Sequence, residues 1–375
     1  MSKKNVLIIG AGAIGRGYLP WILPDDQYDL SFIDTNEKII QAMQQRKTFC
    51  IYKAKDQQLH QKQVKVKNAW LPQDFQMTEQ FSLIFINVGP RSCTQAASLI
   101  EGTETPVLVC ENDPECVTRI KASAHLKNCY FAVPDVITSN SAPQNILEQD
   151  SLSVITEDGV LFYDEKIGKT SLIGQPCSSA ELEKQWIAKL YLHNTPHCVA
   201  AYLGALAHFT YLHEAMQIPT LAQVVGGCMQ EMLQALKLRW DIPHDFLDWY
   251  AEKELARFSN TLLCDPINRV AREPIRKLEL DGRLVGAAQI CLSYGFIPEH
   301  ILIGIASALL FDSNQDADSH LQFMRKNLTQ QNFLTHVLNL REGEPLALIL
   351  KTRLNTILEQ SLSLIRSIGG PHHAN

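Results

Sequence analysis

A short apolar run that leads directly into a glycine-rich segment is the feature that most constrains the fold. Residues 6–9, VLII, have the composition of a strand that is buried on both faces. They are followed at once by GAGAIG and then by a helical pattern. Strand, G-x-G-x-x-G and helix in this order are the context of a dinucleotide-binding turn, because the glycines let the backbone approach a pyrophosphate closely. The predicted cofactor-binding residues of this loop are Gly10, Gly12, Ala13, Ile14 and Gly15.

An acidic residue ends the next predicted strand. The segment DLSFID, residues 29–34, places Asp34 about twenty residues beyond the glycines. A carboxylate at this point can hydrogen-bond both ribose hydroxyls and would repel a 2′-phosphate, which favours NAD over NADP. An ordinary glycine-rich turn without a ligand is the alternative. The combination of strand, helix and acid in register favours the nucleotide.

Three further apolar segments, residues 82–88, 106–110 and 129–133, alternate with helix-length segments. This alternation predicts a parallel, doubly wound sheet of the Rossmann type. Ligands of such sheets lie beyond the carboxyl ends of the strands. Val88-Gly89 therefore becomes part of the predicted cofactor site. Asn112 follows the next strand and is either an amide donor to a reacting oxygen or a helix cap.

The pattern changes after residue 150. Residues 151–165, SLSVITEDGVLFYDE, predict two short strands that form a hairpin around Glu157-Asp158-Gly159. Helical periodicity then dominates to the end of the chain. The sequence thus predicts an α/β protein with two domains. We expect a Rossmann-type NAD-binding domain with a small strand insertion in residues 1–175, and an all-α substrate and catalytic domain in residues 176–375.

The helical half opens with side chains that suit proton transfer. Within residues 186–206, Lys189, His193 and His197 recur every four residues and would share one helical face, with Asn194 on its flank. A lysine has an ordinary pKa of about 10.4, and burial or a nearby helix start would lower it toward that of a useful base. The alternative is a solvated lysine beside a core histidine.

Pro196 interrupts this pattern. It removes a backbone donor, so a kink or a new helix is expected there, with Asn194 or Thr195 as the cap. The two histidines also have the spacing of a zinc site, which is a further alternative. The glutamate that follows the first histidine of metalloprotease helices is missing, and no third ligand is apparent.

A second cation-rich segment covers residues 257–284. Arg269, Arg272 and Arg276 have spacings that could place them on one helical face, unless Pro274 interrupts it. Clustered guanidinium groups bind phosphate or carboxylate through paired, directional donors. The alternative is a solvated basic face that pairs with neighbouring acids.

The chain resembles the polyol-specific long-chain dehydrogenase family, also called the mannitol dehydrogenase family. The similarity covers most of the chain, and its motifs occur in the expected order: GAGAIGRG, FIDTNEKII, NVGP, CEN, K-x4-N-x2-H, RFSNTLLCD, RVAREPIRKL and DGRL. The length and the form of the cation-rich segment are most similar to the branch that interconverts mannitol 1-phosphate and fructose 6-phosphate.

This resemblance implies a metal-free, NAD-dependent reaction on a polyol or sugar phosphate. Lys189 would be the general acid/base, Asn194 and His197 would orient the lysine and the substrate oxygen, and Asn112 would help to form the oxyanion site. The predicted substrate-binding residues are Arg276, Lys277, Arg272 and Glu157.

Two departures from the family pattern concern the substrate. The usual Asp-Arg pair is here Asp135-Val136. The E-x-F-x-x-W stretch keeps Glu157, but it has Gly159 in place of the phenylalanine and Phe162 in place of the tryptophan. Both changes leave the redox chemistry intact. They keep two alternatives open: a reductase of an unphosphorylated hexuronate or polyol, and a nucleotide-binding regulator without turnover.

Composition excludes several other classes. The chain is 46% hydrophobic and 20% charged with a net charge of −6, which argues against nucleic acid or an anionic membrane as the main partner. Its ten cysteines form no CxxC pair and fit free thiols in a reducing compartment. The longest apolar stretch, residues 301–311, is about half of a membrane span. We expect a cytoplasmic monomer or small homo-oligomer.

Overall fold

The computed structural model describes residues 3–280, 282–312 and 316–368. The chain divides into two compact units. The first comprises Met1–Trp186 with Leu262–Cys264, and the second comprises Ile187–Thr261 with Asp265–Asn375. The division falls within a helix, Ser179–Ala188, rather than in the loop before it.

A parallel sheet forms the centre of the first unit. The described residues contain these strands: β1 Lys4–Ile9, β2 Tyr28–Ile33, β3 Thr48–Lys55, β4 Gln58–Trp70, β5 Leu83–Ile86, β6 Val107–Val109, β7 Cys129–Asp135, β8 Ile155–Glu157, β9 Val160–Asp164 and β10 Gln175–Cys177. Their order is β10-β9-β7-β6-β5-β1-β2-β4-β3-β8. The strands from β7 to β2, and β4 beside β2, are parallel neighbours. The predicted doubly wound sheet is therefore confirmed.

Strand β1 shows why this sheet is buried on both faces. Val6 and Ile8 belong to one apolar cluster, and Leu7 and Ile9 belong to the cluster on the opposite face. Successive side chains of a strand point to opposite faces, so a continuous apolar run fills both layers at once. The α-helices that alternate with these strands are α1 Leu19–Ile22, α2 Glu37–Arg46, α3 Cys93–Ser98, α4 Glu115–Ala124 and α5 Gln144–Leu147. Helix α6, Ser179–Ala188, follows the last strand.

Strand β4 pairs with a different strand in each part of its length. Its last residues, from Val66, pair with β2, whereas residues 58–65 pair with β3 in an antiparallel hairpin. The turn of this hairpin is formed by Asp56 and Gln57, which both have positive φ, as two-residue hairpin turns require. Sequence reasoning missed the hairpin, because β4 is polar along most of its length and shows only a short apolar alternation.

The predicted hairpin of residues 151–165 is wrong. Its two strands exist, but β8 pairs in parallel with β3 and β9 pairs antiparallel with β7. They therefore lie near opposite ends of the strand order, although only Asp158 and Gly159 connect them. A connection this short cannot span an open sheet, so the strands must curl until the two regions meet. An isolated bridge between Thr138 and Thr156 forms at this meeting point.

Helices and turns build the second unit, and no strand occurs among its described residues. After α6 the backbone forms a π-helical turn, Lys189–Asn194, and continues as α7 Thr195–Leu206. The remaining helices are α8 Leu212–Met216, α9 Pro219–Arg239, α10 His244–Phe258, α11 Ile267–Ala271, α12 Pro274–Leu278, α13 Val285–Ser293, α14 Glu299–Leu310, α15 Asp316–Asn327, α16 Gln330–His336 and α17 Pro345–Ser367. Residues 195–204 of α7 are all buried, so this helix is central to the unit. Within the described residues, no helix has both the length and the apolar composition needed to cross a membrane.

Two glycines allow the chain to turn from β1 into the first helical turn, Ala13–Tyr18. Gly10 has a φ of 98°, a conformation that favours glycine. A Cβ added to Gly15 would lie 1.9 Å from the carbonyl oxygen of Gly10. The backbone of the helical turn thus packs directly against the end of the strand, and no side chain fits between them.

Substitution Gly15→Ala should lower the free energy of unfolding by about 3 kcal/mol or more, because backbone must move to admit the methyl group. Gly226→Ala is the matched control, since an added Cβ at this helical position meets nothing within 4 Å. It should raise the free energy of unfolding by up to ~1 kcal/mol. Urea denaturation measures both effects, and equal stability of the two variants would contradict this account of the turn.

Candidate active site

Asp34 anchors the glycine loop. Its Oδ2 accepts a hydrogen bond of 2.7 Å from the N–H of Ala11, and its Oδ1 accepts one of 2.8 Å from the N–H of Asn36. The carboxylate therefore lies at the carboxyl end of β2, directly beside the predicted cofactor loop. This is the position that sequence analysis assigned to a ribose-binding acid. Gly12 has open space at its α-carbon, whereas Gly10 and Gly15 are closely packed.

Two side chains that sequence analysis did not assign also hold the loop. Asn87 follows β5 and donates hydrogen bonds of 2.7 Å to the carbonyl of Ile9 and 2.6 Å to that of Gly10. Arg16 is buried beneath the loop and donates to the carbonyl of Ala11. Asn87 lies in the motif NVGP and Arg16 in the motif GAGAIGRG, but the motifs alone do not show which backbone groups these side chains bind.

Val88 and Gly89 follow the end of β5, as predicted. The N–H of Gly89 donates a 2.8 Å hydrogen bond to Oε1 of Glu111, a buried acid that follows β6. Glu111 was not predicted as a site residue. It links the two strand ends at which ligands of parallel sheets lie.

Asn112 is exposed, and its carbonyl accepts a 3.0 Å hydrogen bond from Nε1 of Trp186. It does not cap the following helix. That helix begins at Glu115, whose N–H donates to Oδ1 of Asp113 at 2.9 Å. The helix-cap alternative for Asn112 is therefore wrong, and its role as an amide donor stays a prediction.

Glu157 and the two departures from the family pattern lie together. Oε1 of Glu157 accepts a 2.5 Å hydrogen bond from the N–H of Ile137, and Glu157 is buried. A Cβ added to Gly159 would lie 2.5 Å from Cβ of Val136. Val136 and Gly159 are thus in contact, so that one small region at the end of β7 differs from the family pattern.

In the second unit, the side chains predicted for proton transfer lie on one run of helix. Lys189, Asn194 and His197 are all buried. The rings of His193 and His197 have centroids 4.8 Å apart, as expected for neighbours on one face. A separate helix, α7, begins at Thr195 with Pro196 in its first turn, so the predicted new helix is present, and a π-helical turn precedes it. Asn194 occupies the cap position, but it has helical dihedral angles and forms no side-chain cap hydrogen bond, so the predicted capping by its side chain is wrong.

His197 is held by a buried acid. Its Nε2 lies 3.0 Å from Oδ2 of Asp265, whose Oδ1 accepts a 2.9 Å hydrogen bond from Nε of Arg269. Burial alone would raise the pKa of Asp265, but the charge of Arg269 and the hydrogen bond with His197 outweigh it and lower that pKa to about 2. Burial lowers the pKa of His197 below its ordinary value. The pair is therefore an ionised carboxylate and a neutral imidazole, in which Nε2 carries the proton and Nδ1 is an acceptor.

His193 has a similar arrangement. Its Nδ1 is hydrogen-bonded to Glu254, which is fully buried and also forms an ion pair with Arg257. The ring of Phe258 lies 5.1 Å from that of His197 and 5.4 Å from that of His193. His193 was predicted to share a helical face with Lys189 and His197, but Glu254 was not predicted as its partner. The acid lies far away in the sequence and carries no motif of its own.

The cation-rich segment does not form one helical face. α11 ends at Ala271, Arg272 is extended, and Glu273 has a φ of 56° before Pro274 opens α12. The proline interruption that the sequence allowed is therefore present. Burial lowers the pKa of Arg272, the charge of Glu273 raises it, and the charges of Arg269, Arg276 and Arg283 lower it, so Arg272 lies within electrostatic reach of these three guanidinium groups.

Two of the predicted substrate residues have structural partners. Arg276 forms a 3.0 Å ion pair with Glu273. The ammonium group of Lys277 is buried and donates to the carbonyls of Val270 and Arg272, at the end of α11. Burial lowers the pKa of Lys277 to about 7. Their contact with substrate stays a prediction.

In the part of the chain that the structure describes, no three His, Cys, Asp or Glu side chains are grouped so that they could hold a metal ion. The ten cysteines are free thiols.

Comparisons with known proteins agree with this arrangement. Residues 4–121 match the family described as mannitol dehydrogenase Rossmann domain, and residues 181–351 match mannitol dehydrogenase C-terminal domain. A relative from Caldanaerobacter subterraneus subsp. tengcongensis, named mannitol-1-phosphate 5-dehydrogenase, is 28% identical and covers 84% of this chain and 88% of its own. A relative of the same name from Brevibacillus brevis is 28% identical over 94% of this chain and 98% of its own.

Solved structures show the same fold. The mannitol 2-dehydrogenase of Pseudomonas fluorescens, in a ternary complex with NAD and D-mannitol, aligns with a TM-score of 0.80 at 13% identity, covering 98% of this chain and 94% of that chain. A D-sorbitol dehydrogenase in substrate-free form aligns with a TM-score of 0.68 at 11% identity, covering 97% of this chain and 95% of that chain.

Substitution Asp265→Asn should lower the free energy of unfolding by about 3 kcal/mol, because it removes a buried carboxylate that pairs with the partly buried guanidinium of Arg269 and with His197. Asp248→Asn is the control. Asp248 forms an ion pair with Lys237 at the surface, and its loss should change the free energy of unfolding by less than about 1 kcal/mol. Urea denaturation at neutral pH separates the two. Similar losses in both variants would show that Asp265 does not stabilise a buried pair.

Acidification below pH 6.5 should destabilise the protein through His197. Its pKa is lower in the folded state, so the unfolded chain takes up the proton first and stability falls as the pH drops below the ordinary histidine value. Urea denaturation between pH 7.5 and pH 5.5 should therefore show a smaller loss of stability for His197→Gln than for the wild type. Equal losses in the two proteins would contradict a neutral, buried His197.

Proposed function

The chain belongs to the mannitol dehydrogenase family, and we propose that it interconverts mannitol 1-phosphate and fructose 6-phosphate with NAD, using Lys189 as general acid/base without a metal. The observation that carries this proposal is the burial of Lys189 on the helical run that also presents His197, a neutral imidazole fixed by Asp265. Curated relatives named mannitol-1-phosphate 5-dehydrogenase support the choice of substrate.

The residues of the glycine loop fit NAD. Gly12 offers open space for a pyrophosphate, and the carboxylate of Asp34 lies beside the loop where the adenosine ribose would bind. When bound, NAD⁺ supplies the acceptor for the hydride that leaves the alcohol carbon. Oxidation of a secondary alcohol to a ketone also releases the hydroxyl proton, and this proton needs a base.

Lys189 in its neutral form takes that proton onto Nζ. In the reverse direction its ammonium group returns the proton to the forming alkoxide while the carbonyl carbon receives the hydride. Nδ1 of His197 is an acceptor, because Nε2–H is donated to Asp265, so it can hold either the lysine or a substrate hydroxyl by a hydrogen bond. Asn194 and Asn112 are proposed as the amide donors that stabilise charge on the oxygen.

The cluster of Arg269, Arg272, Arg276 and Arg283 favours an anionic substrate. The charges of the other three lower the pKa of Arg272, so this part of the helical unit is rich in cations, two of which form ion pairs: Arg269 with Asp265 and Arg276 with Glu273. Such a region suits the dianionic phosphate of a hexitol phosphate. The carboxylate of a hexuronate would suit it less well, because it carries a single charge, and a free polyol would gain nothing from it.

A substrate panel tests the proposed function. NADH formation or consumption is followed at 340 nm with mannitol 1-phosphate, fructose 6-phosphate, mannitol, fructose and hexuronates. We expect turnover with the two phosphorylated sugars and only weak turnover with the others. Turnover confined to a hexuronate or a free polyol would assign the protein to another activity of the family. Absence of turnover on the whole panel would refute the proposal.

The same panel on Lys189→Ala tests the mechanism. We expect turnover to fall by several orders of magnitude while NAD⁺ binding, measured by calorimetry, survives, because the change removes the base and leaves the glycine loop untouched. Lys184→Ala on the same helical run is the control, since Lys184 pairs with Glu181. It should retain turnover close to that of the wild type. Comparable turnover of both variants would exclude Lys189 as the acid/base.

A further inference from the structure

Arg16 is a buried cation directly beneath the glycine loop. Only 6% of its surface is exposed. Its guanidinium donates to three backbone carbonyls: from Nη1 to Ala11 at 2.5 Å, from Nε to Leu152 at 3.0 Å and from Nη2 to Asn140 at 3.2 Å. The side chain thus joins the cofactor loop to two points of the segment that runs from β7 to β8.

The hydrogen bond to Ala11 fixes the orientation of one peptide group. The N–H of Ala11 is held by Asp34 at 2.7 Å, and its carbonyl is held by Arg16. In a planar trans peptide the carbonyl and the following N–H point in opposite directions. The N–H of Gly12 is therefore directed away from the guanidinium. On that residue an added Cβ would meet nothing within 4 Å, so a ligand has room to approach.

The charge of Arg16 adds an electrostatic effect. Burial lowers its pKa to about 10, and the charges of Asp34 and Asp150 oppose this shift. The guanidinium therefore remains protonated at neutral pH. A full positive charge at the carbonyl oxygen polarises the peptide and makes its N–H a stronger donor to an anion, since hydrogen bonds in a chain strengthen one another.

We propose that Arg16 is a positioning residue for NAD: it orients and polarises the Ala11–Gly12 peptide so that the N–H of Gly12 binds the pyrophosphate. Arg16 does not itself touch the cofactor. The inference rests on the NAD binding of the proposed function. It also makes the segment between Asn140 and Leu152, which precedes Glu157, part of the same rigid support.

The alternative is that Arg16 only stabilises the fold, and three variants distinguish the two roles. Arg16→Met removes the charge and the hydrogen bonds, whereas Arg16→Lys keeps the charge but loses the planar fork of donors. Arg325→Met is the matched control, because Arg325 is a partly buried arginine of the other unit whose Nη1 also donates to a backbone carbonyl, that of Leu309. Calorimetry measures binding of NAD⁺ and of ADP-ribose, and thermal unfolding without ligand measures stability.

We expect Arg16→Met to bind both ligands about tenfold more weakly, since both carry the pyrophosphate and its hydrogen bond from the N–H of Gly12 is weakened. Arg16→Lys should lie between this variant and the wild type. Arg325→Met should lower Tm with unchanged affinity. Two results would overturn the inference: wild-type affinity in Arg16→Met, or weaker binding of NAD⁺ with unchanged binding of ADP-ribose. If Arg16→Met does not fold, wild-type affinity in Arg16→Lys would overturn it. A wild-type protein that does not bind NAD⁺ would instead refute the proposed function.

Discussion

The buried carboxylates of the helical unit are each paired with a histidine and an arginine, and this pairing sets the arrangement around α7. Asp265 is held between His197 and Arg269, and Glu254 is held between His193 and Arg257. The first carboxylate stays ionised and its imidazole stays neutral. The N–H of that imidazole therefore donates to the carboxylate, and the other ring nitrogen is an acceptor. The protonation state that the proposed proton transfer requires thus follows from how the unit packs.

The fold of the first unit could be predicted where its signals are local. The glycine loop, the acid that ends β2 and the apolar strands of the parallel sheet all lie in short stretches whose periodicity or spacing is visible. The β3–β4 hairpin was missed because β4 is polar along most of its length, and β10, with only three residues, was missed as well. The partners of β8 and β9 were misassigned because strand pairing depends on residues that are distant in the sequence. The sequence pattern of a short segment such as β8 indicates a strand, but it does not show which other strand this one pairs with.

The site shows the same limit. The shared face of His193 and His197 was predictable, since a spacing of four residues suits both an α-helix and the π-helical turn that is present. Their acids are 61 and 68 residues away, so spacing could not reveal them. The sequence left open whether Pro274 interrupts the face of arginines, and it does: Glu273 adopts a left-handed conformation just before this proline. Val136 and Gly159 are two departures from the family pattern at separate places in the sequence, and only the structure shows that they are in contact.

The two-residue connection between β8 and β9 has a consequence for how the first unit forms. β8 pairs with β3, which lies far upstream in the chain, and β9 pairs with β7. Contacts between segments so far apart in the chain form slowly, because closing long loops costs entropy before any contact is gained. The connection is therefore expected to be among the last parts of the unit to order. Since Glu157 ends β8, the acid that is predicted to bind substrate is expected to acquire its place late in folding.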